Sequence, residues 1–115
     1  MAVLYTNNAN STLASSITNV ATSLSVASGA GALFPNPTSS DYFYCTLDDN
    51  NGNIEVVKVT ARSTDTLTIT RAQDGTTAKA FNAGVRVELR LVKALLDDKF
   101  TDASGTAVAM SVALG

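Results

Sequence analysis

The stretch Val85-Arg-Val-Glu-Leu-Arg-Leu91 alternates strictly between aliphatic and charged side chains. Successive side chains of a β-strand lie on opposite faces, so the aliphatic residues of this stretch would share one face and the charged residues the other. Alternation of this kind predicts a strand with one buried face and one face in solvent. A half-buried β-strand is therefore the starting point for predicting the fold.

Four further segments of the chain repeat this period of two. They are residues 22–28, 41–47, 55–61 and 66–70. Polar turns join the second segment to the third, through residues 48–53, and the third to the fourth, through residues 63–65. Alternating runs joined by short polar turns are typical of β-hairpins, because Asn and Gly tolerate the positive φ that a tight turn needs. These segments predict neighbouring antiparallel strands.

The second of these segments shows how the two faces are assigned. Phe43, Cys45 and Leu47 share one face, which we expect to enter the core. Tyr42 and Tyr44 lie on the opposite face. Cys45, flanked on its face by two large apolar residues, is expected to be a small buried hydrophobic residue rather than a nucleophile.

The two ends of the chain follow other patterns. Residues 1–11 are polar and rich in Asn after a brief apolar start, and we interpret them as an extended arm that takes its structure from a partner, with a frayed terminus as the alternative. Residues 92–100 form the one stretch with apolar residues at helical spacing. The tail, residues 101–115, alternates again after Gly105 and predicts a strand.

Together these patterns predict an all-β fold. We expect a small antiparallel β-sandwich or barrel over residues 12–100, preceded by the arm at residues 1–11. The domain would include one short helix near residues 92–100 and continue into the strand-like C-terminal tail, residues 101–115. A chain of 115 residues has room for one compact core.

Both ends carry apolar residues that we predict to contact other proteins. A terminal strand without a hairpin partner must pair with a sheet edge, either its own or that of a neighbouring subunit. For the tail, an intersubunit contact and an ordinary last strand of the same core both remain open. The candidate contact residues are Val3, Leu4 and Tyr5 in the arm and Val108, Met110, Val112 and Leu114 in the tail.

Charge and composition argue against several kinds of partner and site. The net charge is −2 and the eight basic residues are spread along the chain, so nucleic acid is not an expected partner. No apolar run approaches the length of a membrane-spanning helix, and no membrane partner is expected. The chain has no histidine and one cysteine, which excludes His-dependent catalytic triads and zinc sites that need several Cys or His ligands. We expect a non-enzymatic protein without metal or cofactor.

Three weaker candidate sites have simpler explanations. The acidic loop at residues 48–55 offers oxygen ligands for calcium, but it lacks the spacing of an EF-hand and suits a solvated turn. Asp97 and Asp98 are adjacent on the predicted helix and do not face each other, so we assign them to its polar side. Tyr42 and Tyr44 are the residues that a carbohydrate-binding platform would use if both were exposed.

An ordered set of short motifs resembles a module of tailed-phage virion proteins. In chain order, the motifs are Asn8–Ala14, Thr22–Gly29, Ala32–Pro35, Asp41–Phe43, Glu55–Ala61, Asp65–Arg71, Gln73–Ala78, Phe81–Gly84 and Val87–Arg90. Such modules stand at the start of tail or neck fibres and also occur as short separate proteins. The resemblance covers about residues 8–98 and departs from the family's turns at Ala72, Asp74 and Val85.

The resemblance implies a non-enzymatic structural protein of the virion, assembled in the cytoplasm of the host bacterium. Its expected partners are other virion proteins (portal or adaptor, tail, or capsid) and further copies of itself. We expect an adaptor or fibre-anchoring component at the tail, neck or collar. A capsid decoration protein, which would cement the shell, is the first alternative. A carbohydrate-binding β-module is the alternative from another class.

Overall fold

A computed structural model of the chain describes residues 2–104. Its main elements are six strands, a short 3₁₀ helix and one α-helix. In chain order these are β1 (Asn10–Thr12), β2 (Ser23–Ser25), the 3₁₀ helix Ala30–Leu33, β3 (Phe43–Asp48), β4 (Ile54–Ser63), β5 (Thr66–Gln73), β6 (Arg86–Glu88) and α1 (Lys93–Ser104). The fold is mostly β, with one short helix, as the alternation predicts.

All six strands belong to one antiparallel sheet in the order β1-β6-β3-β4-β5-β2. The sheet curls into a half-barrel, and its two outermost strands approach each other at an isolated bridge between Leu13 and Val26. The Ala14 N–H donates to the Ser25 carbonyl at 2.8 Å beside this bridge. Two stacked sheets are not present among the described residues, so the predicted β-sandwich is not confirmed.

The inner face of the curled sheet holds the main core. The residues predicted to face inward do so: Phe43, Cys45 and Leu47 on β3 are completely buried. The aliphatic residues of β4, β5 and β6 meet them, and Phe34 stacks on Phe43 with ring centroids 6.1 Å apart. Irregularities in the β4–β5 register, between Val56 and Lys58 and between Val59 and Ala61, bend the long hairpin, as β-bulges do.

The β4–β5 turn packs against the 3₁₀ helix through Asp65. Its carboxylate accepts hydrogen bonds from the backbone N–H groups of Gly29 at 3.1 Å and Gly31 at 2.8 Å. A Cβ atom at Gly31 would lie 1.9 Å from the carbonyl oxygen of Thr64. Only glycine therefore allows the two backbones to approach this closely.

The outer face of the sheet carries a second, smaller cluster. It comprises Val3, Tyr42, Tyr44, Val56 and Leu95. The helix α1 covers this face, so β3 is buried on both sides. The period of two identifies the two faces of a strand, but it does not reveal that a helix later in the chain covers the outer one.

The strand predicted at residues 85–91 is shorter than its pattern suggests. Only Arg86–Glu88 forms the strand β6. The next residue, Leu89, still donates its N–H to the Ala9 carbonyl at 2.9 Å, but the strand does not continue beyond it. Leu91 is 66% exposed, so the inward alternation stops before it. The chain leaves the sheet here to reach the start of α1, and the geometry of that exit ends the strand.

The predicted N-terminal arm is not confirmed as an extension that takes its structure from a partner. Tyr42 exchanges backbone hydrogen bonds with Ala2 and Leu4, at 3.0 and 2.7 Å, and Val3 is only 1% exposed. Burial of the apolar Val3 side chain against the sheet lowers the free energy of the folded chain, because apolar surface is removed from water. The chain enters β1 at Asn10, so the predicted boundary at residues 11 and 12 falls inside a strand.

The helix predicted near residues 92–100 is present and extends further, to Ser104. It therefore crosses the predicted boundary between residues 100 and 101. The strand predicted for the tail lies outside the described residues from Gly105 onward.

Candidate functional site

An open cavity of about 390 Å³ lies where β1, β3 and β6 approach two loops. Its lining residues are Thr12, Asp48, Asp49, Asn50, Ala83, Gly84, Val85 and Arg86. The lining combines two carboxylates with one guanidinium and a short apolar stretch. We treat this cavity as the candidate site.

Asp49 organises the acidic loop beside the cavity. Its Oδ1 accepts hydrogen bonds from the backbone N–H groups of Asn51 at 2.8 Å and Asn53 at 3.1 Å, and its Oδ2 accepts one from Asn53 Nδ2 at 2.7 Å. These bonds, above all that from the Asn53 side chain, lower the pKa of Asp49. The oxygens that a calcium ion would need are thus engaged in holding the turn. No cluster of three or more His, Cys, Asp or Glu residues suited to a metal ion occurs within residues 2–104.

Asp48 links the same loop to Arg90, which follows β6 in the chain. Its Oδ1 accepts the Asn50 N–H at 2.8 Å, and its Oδ2 accepts a hydrogen bond from Arg90 Nη2 at 2.9 Å. Arg90 Nε also donates to Glu88 at 2.7 Å. The hydrogen bond from Asn50, followed by that from Arg90, lowers the pKa of Asp48. Both carboxylates that line the cavity, Asp48 and Asp49, therefore already accept hydrogen bonds from the protein itself.

A buried ion pair at one end of the core is the main polar feature not predicted from the sequence. Glu55 is 0% exposed, and its two carboxylate oxygens accept hydrogen bonds from Arg71 Nε at 2.9 Å and Arg71 Nη2 at 2.8 Å. The N–H groups of Ala72 at 3.0 Å and Lys79 at 2.9 Å complete its set. Burial acts to raise the pKa of Glu55, but these hydrogen bonds outweigh it and hold the pKa below its ordinary value.

Arg71 connects three otherwise separate parts of the chain. Besides Glu55, it donates to the carbonyl oxygens of Thr18 at 2.7 Å, Ala21 at 3.2 Å and Lys79. The loop before β2 and the loop after β5 are both attached to the sheet by this one side chain. We conclude that the pair is structural, since its hydrogen-bonding groups are occupied by the fold itself.

A signal for this pair is present in the sequence. Glu55 shares its face of β4 with Val57 and Val59, and Arg71 shares its face of β5 with Leu67 and Ile69. Opposite charges on two inward faces of one hairpin indicate a buried pair, because an unpaired charge there would be costly.

A second polar contact attaches α1 to the sheet. The hydroxyls of Tyr42 and Tyr44 both donate to Asp98 Oδ2, at 2.6 and 2.7 Å. The rings meet edge to face with centroids 5.6 Å apart, and Lys58 Nζ lies 4.3 Å from the Tyr42 ring centroid. Burial, followed by the contact with Asp98, raises the pKa of Tyr44.

This contact corrects the prediction for Asp98 and bears on the carbohydrate-binding alternative. Asp98 is not on the solvent side of the helix, because it faces the sheet, whereas its neighbour Asp97 pairs with Lys93 at the surface at 2.7 Å. The tyrosines are not an exposed platform for carbohydrate, because Tyr42 is 9% exposed and Tyr44 is 7% exposed. The sequence could not reveal either point, since both depend on how α1 packs on β3.

The prediction for Cys45 is confirmed. It is completely buried, and burial raises the pKa of its thiol well above the ordinary value. A protonated thiol without access to solvent does not act as a nucleophile.

The predicted contact residues have different environments. Val3 is buried within the chain, Leu4 is half-buried and Tyr5 is 43% exposed. Tyr5 adjoins Thr6, whose hydroxyl donates to the carbonyl of Leu33, another exposed apolar residue, at 2.9 Å. Val108, Met110, Val112 and Leu114 lie outside the described residues.

Comparison of the chain with protein-family models and with curated protein sequences gives no match. Over residues 2–104, no helix has the length and apolar character needed to cross a membrane.

Proposed function

We propose that the chain is a non-enzymatic structural protein of a tailed-phage virion, where it binds other virion proteins at the tail, neck or collar. The observation that supports a non-enzymatic role is that the polar side chains around the core hold parts of the fold together. Glu55 and Arg71 join loops to the sheet, and Asp98 joins the helix to it. Groups used in this way hold the parts of the fold rigidly together and are not free for catalysis. The virion as location is supported by the ordered motifs over about residues 8–98.

The contacts would be made by apolar residues that the body leaves exposed. Tyr5 and Leu33 are both exposed, and the hydroxyl of Thr6, next to Tyr5 in the chain, donates to the Leu33 carbonyl. Leu91 is exposed just before α1. The apolar residues of the tail would add to them. Several copies arranged symmetrically around a virion axis would gain avidity that a single small interface lacks.

Quantitative mass spectrometry of purified virions tests this proposal. Particles of the phage that encodes the chain would be digested with isotope-labelled reference peptides of this protein and of the major capsid protein. We expect about a few to a few tens of copies per particle, as symmetric rings or fibres at a tail or neck require. Absence of the protein from purified particles would contradict the proposal.

The same measurement decides between the two locations in the virion. A capsid decoration protein binds every copy or every capsomer of the shell, so its copy number would follow that of the capsid protein. Tailless particles, separated from complete virions, serve as the control. They would retain a decoration protein and lack a tail component.

A further inference from the structure

We propose that Asn51 is a site of spontaneous covalent modification. The backbone nitrogen of Gly52 displaces the side-chain amide of Asn51, and hydrolysis then leaves aspartate or isoaspartate beside the cavity. This inference is independent of the proposed function. Asn51-Gly52 is the one Asn-Gly pair in the sequence, and it lies in the loop between β3 and β4.

The surroundings of Gly52 leave its nitrogen free to react. Asn51 and Gly52 are both exposed. Within residues 2–104, the Gly52 N–H has no hydrogen-bond partner, whereas the N–H groups of Asn50, Asn51 and Asn53 donate to Asp48 or Asp49. Among the described residues other than Gly52 and its two chain neighbours, no heavy atom lies within 4 Å of the position that a Cβ of Gly52 would occupy, so no other part of the fold shields this side of the backbone.

The same loop contains two asparagines that the structure protects. The residue after Asn50 is Asn51, whose N–H is bound to Asp49 Oδ1 at 2.8 Å. The side chain of Asn53 donates to Asp49 Oδ2 at 2.7 Å, and the next residue, Ile54, begins β4 opposite Asp48 of β3. A nitrogen that already donates a hydrogen bond, or a side-chain amide that is held in place, is poorly disposed to react. The loop thus provides its own internal controls.

The reaction balances without any co-reactant except water. The Gly52 nitrogen loses its proton to hydroxide and forms a bond to Cγ of Asn51. The bond from Cγ to Nδ2 breaks, and ammonia leaves with a proton from solvent, which gives a five-membered succinimide. Water then opens the ring. Cleavage between the Gly52 nitrogen and Cγ gives aspartate, and cleavage between that nitrogen and the original backbone carbonyl carbon gives isoaspartate. No oxidation or reduction takes place.

The product changes the charge of the loop that borders the cavity. A neutral amide becomes a carboxylate in a chain whose net charge is −2. The new carboxylate follows Asp48 and Asp49 in the loop, and both of these carboxyls are already ionised at neutral pH. Isoaspartate in addition inserts a main-chain carbon into the turn. Both products make the loop more acidic.

The test follows the full-length protein during incubation in mildly alkaline buffer. Peptide mass spectrometry with fragmentation identifies which asparagine has exchanged its amide for a carboxyl, and separates isoaspartate from aspartate. A synthetic peptide covering residues 46–56 provides the rate without the fold. We expect modification at Asn51 and none at Asn50 or Asn53. The rate should rise about tenfold per pH unit, as the deprotonated fraction of a very weak acid does.

Two variants complete the design. Asn51→Gln keeps an amide but requires a larger, slower-forming ring, so its ion-exchange profile should stay unchanged during incubation. Asn51→Asp shows where the aspartate product elutes in the same ion-exchange separation. A rate at Asn51 more than about a hundredfold below that of the peptide, a difference of about 2.7 kcal/mol in barrier, would overturn the proposal. So would faster modification at Asn50 or Asn53.

Discussion

Glu55 is a carboxylate on an otherwise apolar face, and its hydrogen bonds allow it to remain ionised there. Four N–H groups surround its two oxygens, two from Arg71 and two from the backbone. Breaking a buried pair by removing one partner costs far more than the pair itself contributes, because the remaining charge is left without compensation. The stability of this end of the core therefore depends on the two residues together.

The variant Arg71→Ala should lower the free energy of unfolding by about 3–5 kcal/mol, since it leaves Glu55 buried and unpaired. Urea unfolding followed by circular dichroism measures this change. Lys93→Ala, which removes one member of the exposed pair with Asp97, is the matched control and should have no measurable effect. Equal stability of the two variants would contradict a structural role for the buried pair.

Acid should destabilise the fold through the same residue. The pKa of Glu55 is lower in the folded chain than its ordinary value. The ionised carboxylate therefore stabilises the fold fully at pH values above that ordinary pKa. This contribution is lost as pH falls through the folded pKa. Asp48, Asp49 and Asp65 have lowered pKa values too and add in the same direction. Urea unfolding at a series of pH values should show stability falling in acid, with a shallower fall for Glu55→Gln. An identical pH dependence in both proteins would contradict this assignment.

At the scale of the elements, α1 and β3 show what the sequence could and could not predict. The alternation at residues 41–47 assigned Phe43, Cys45 and Leu47 to the core, because a strand's faces follow directly from its period. The partner of the other face was not predictable. Tyr42 and Tyr44 are covered by a helix some fifty residues later in the chain, and no local pattern records that contact. The predicted length of β6 was wrong for the same reason, because the chain turns away from the sheet toward α1 after this strand.

The variant Asp98→Ala should loosen α1 from the sheet. It removes the acceptor for two half-buried hydroxyls, at a cost of about 1–3 kcal/mol. Hydrogen exchange measured by mass spectrometry should show faster exchange in residues 93–104 while the strands keep their protection. The neighbouring variant Asp97→Ala, on the exposed side of the same turn, is the control and should leave exchange unchanged. Equal exchange in the two variants would show that the contact with the tyrosines does not hold the helix.

At the scale of the whole molecule, we expect self-association that depends on the tail. Multi-angle light scattering of the full-length protein should give an oligomer, and deletion of residues 105–115 should reduce its mass toward that of the monomer. Val20→Ser, which removes a highly exposed apolar side chain from a loop of the body, is the control and should keep the oligomer. A strictly monomeric full-length protein at high concentration would contradict the expectation, as would an unchanged mass after the deletion.

The order of strands in the sheet also fixes when the fold can be completed. The hairpins β3–β4 and β4–β5 pair segments that are adjacent in the chain, whereas β1 pairs with β6, from near the opposite end of the described residues. During synthesis, Asn10–Thr12 leaves the ribosome well before Arg86–Glu88 and finds its partner only after that later segment has followed. Contacts between such distant segments form slowly, because a long loop must close first. Until then the nascent chain has a central three-stranded ribbon with one side of β3 unpaired, which is the stage most exposed to premature association.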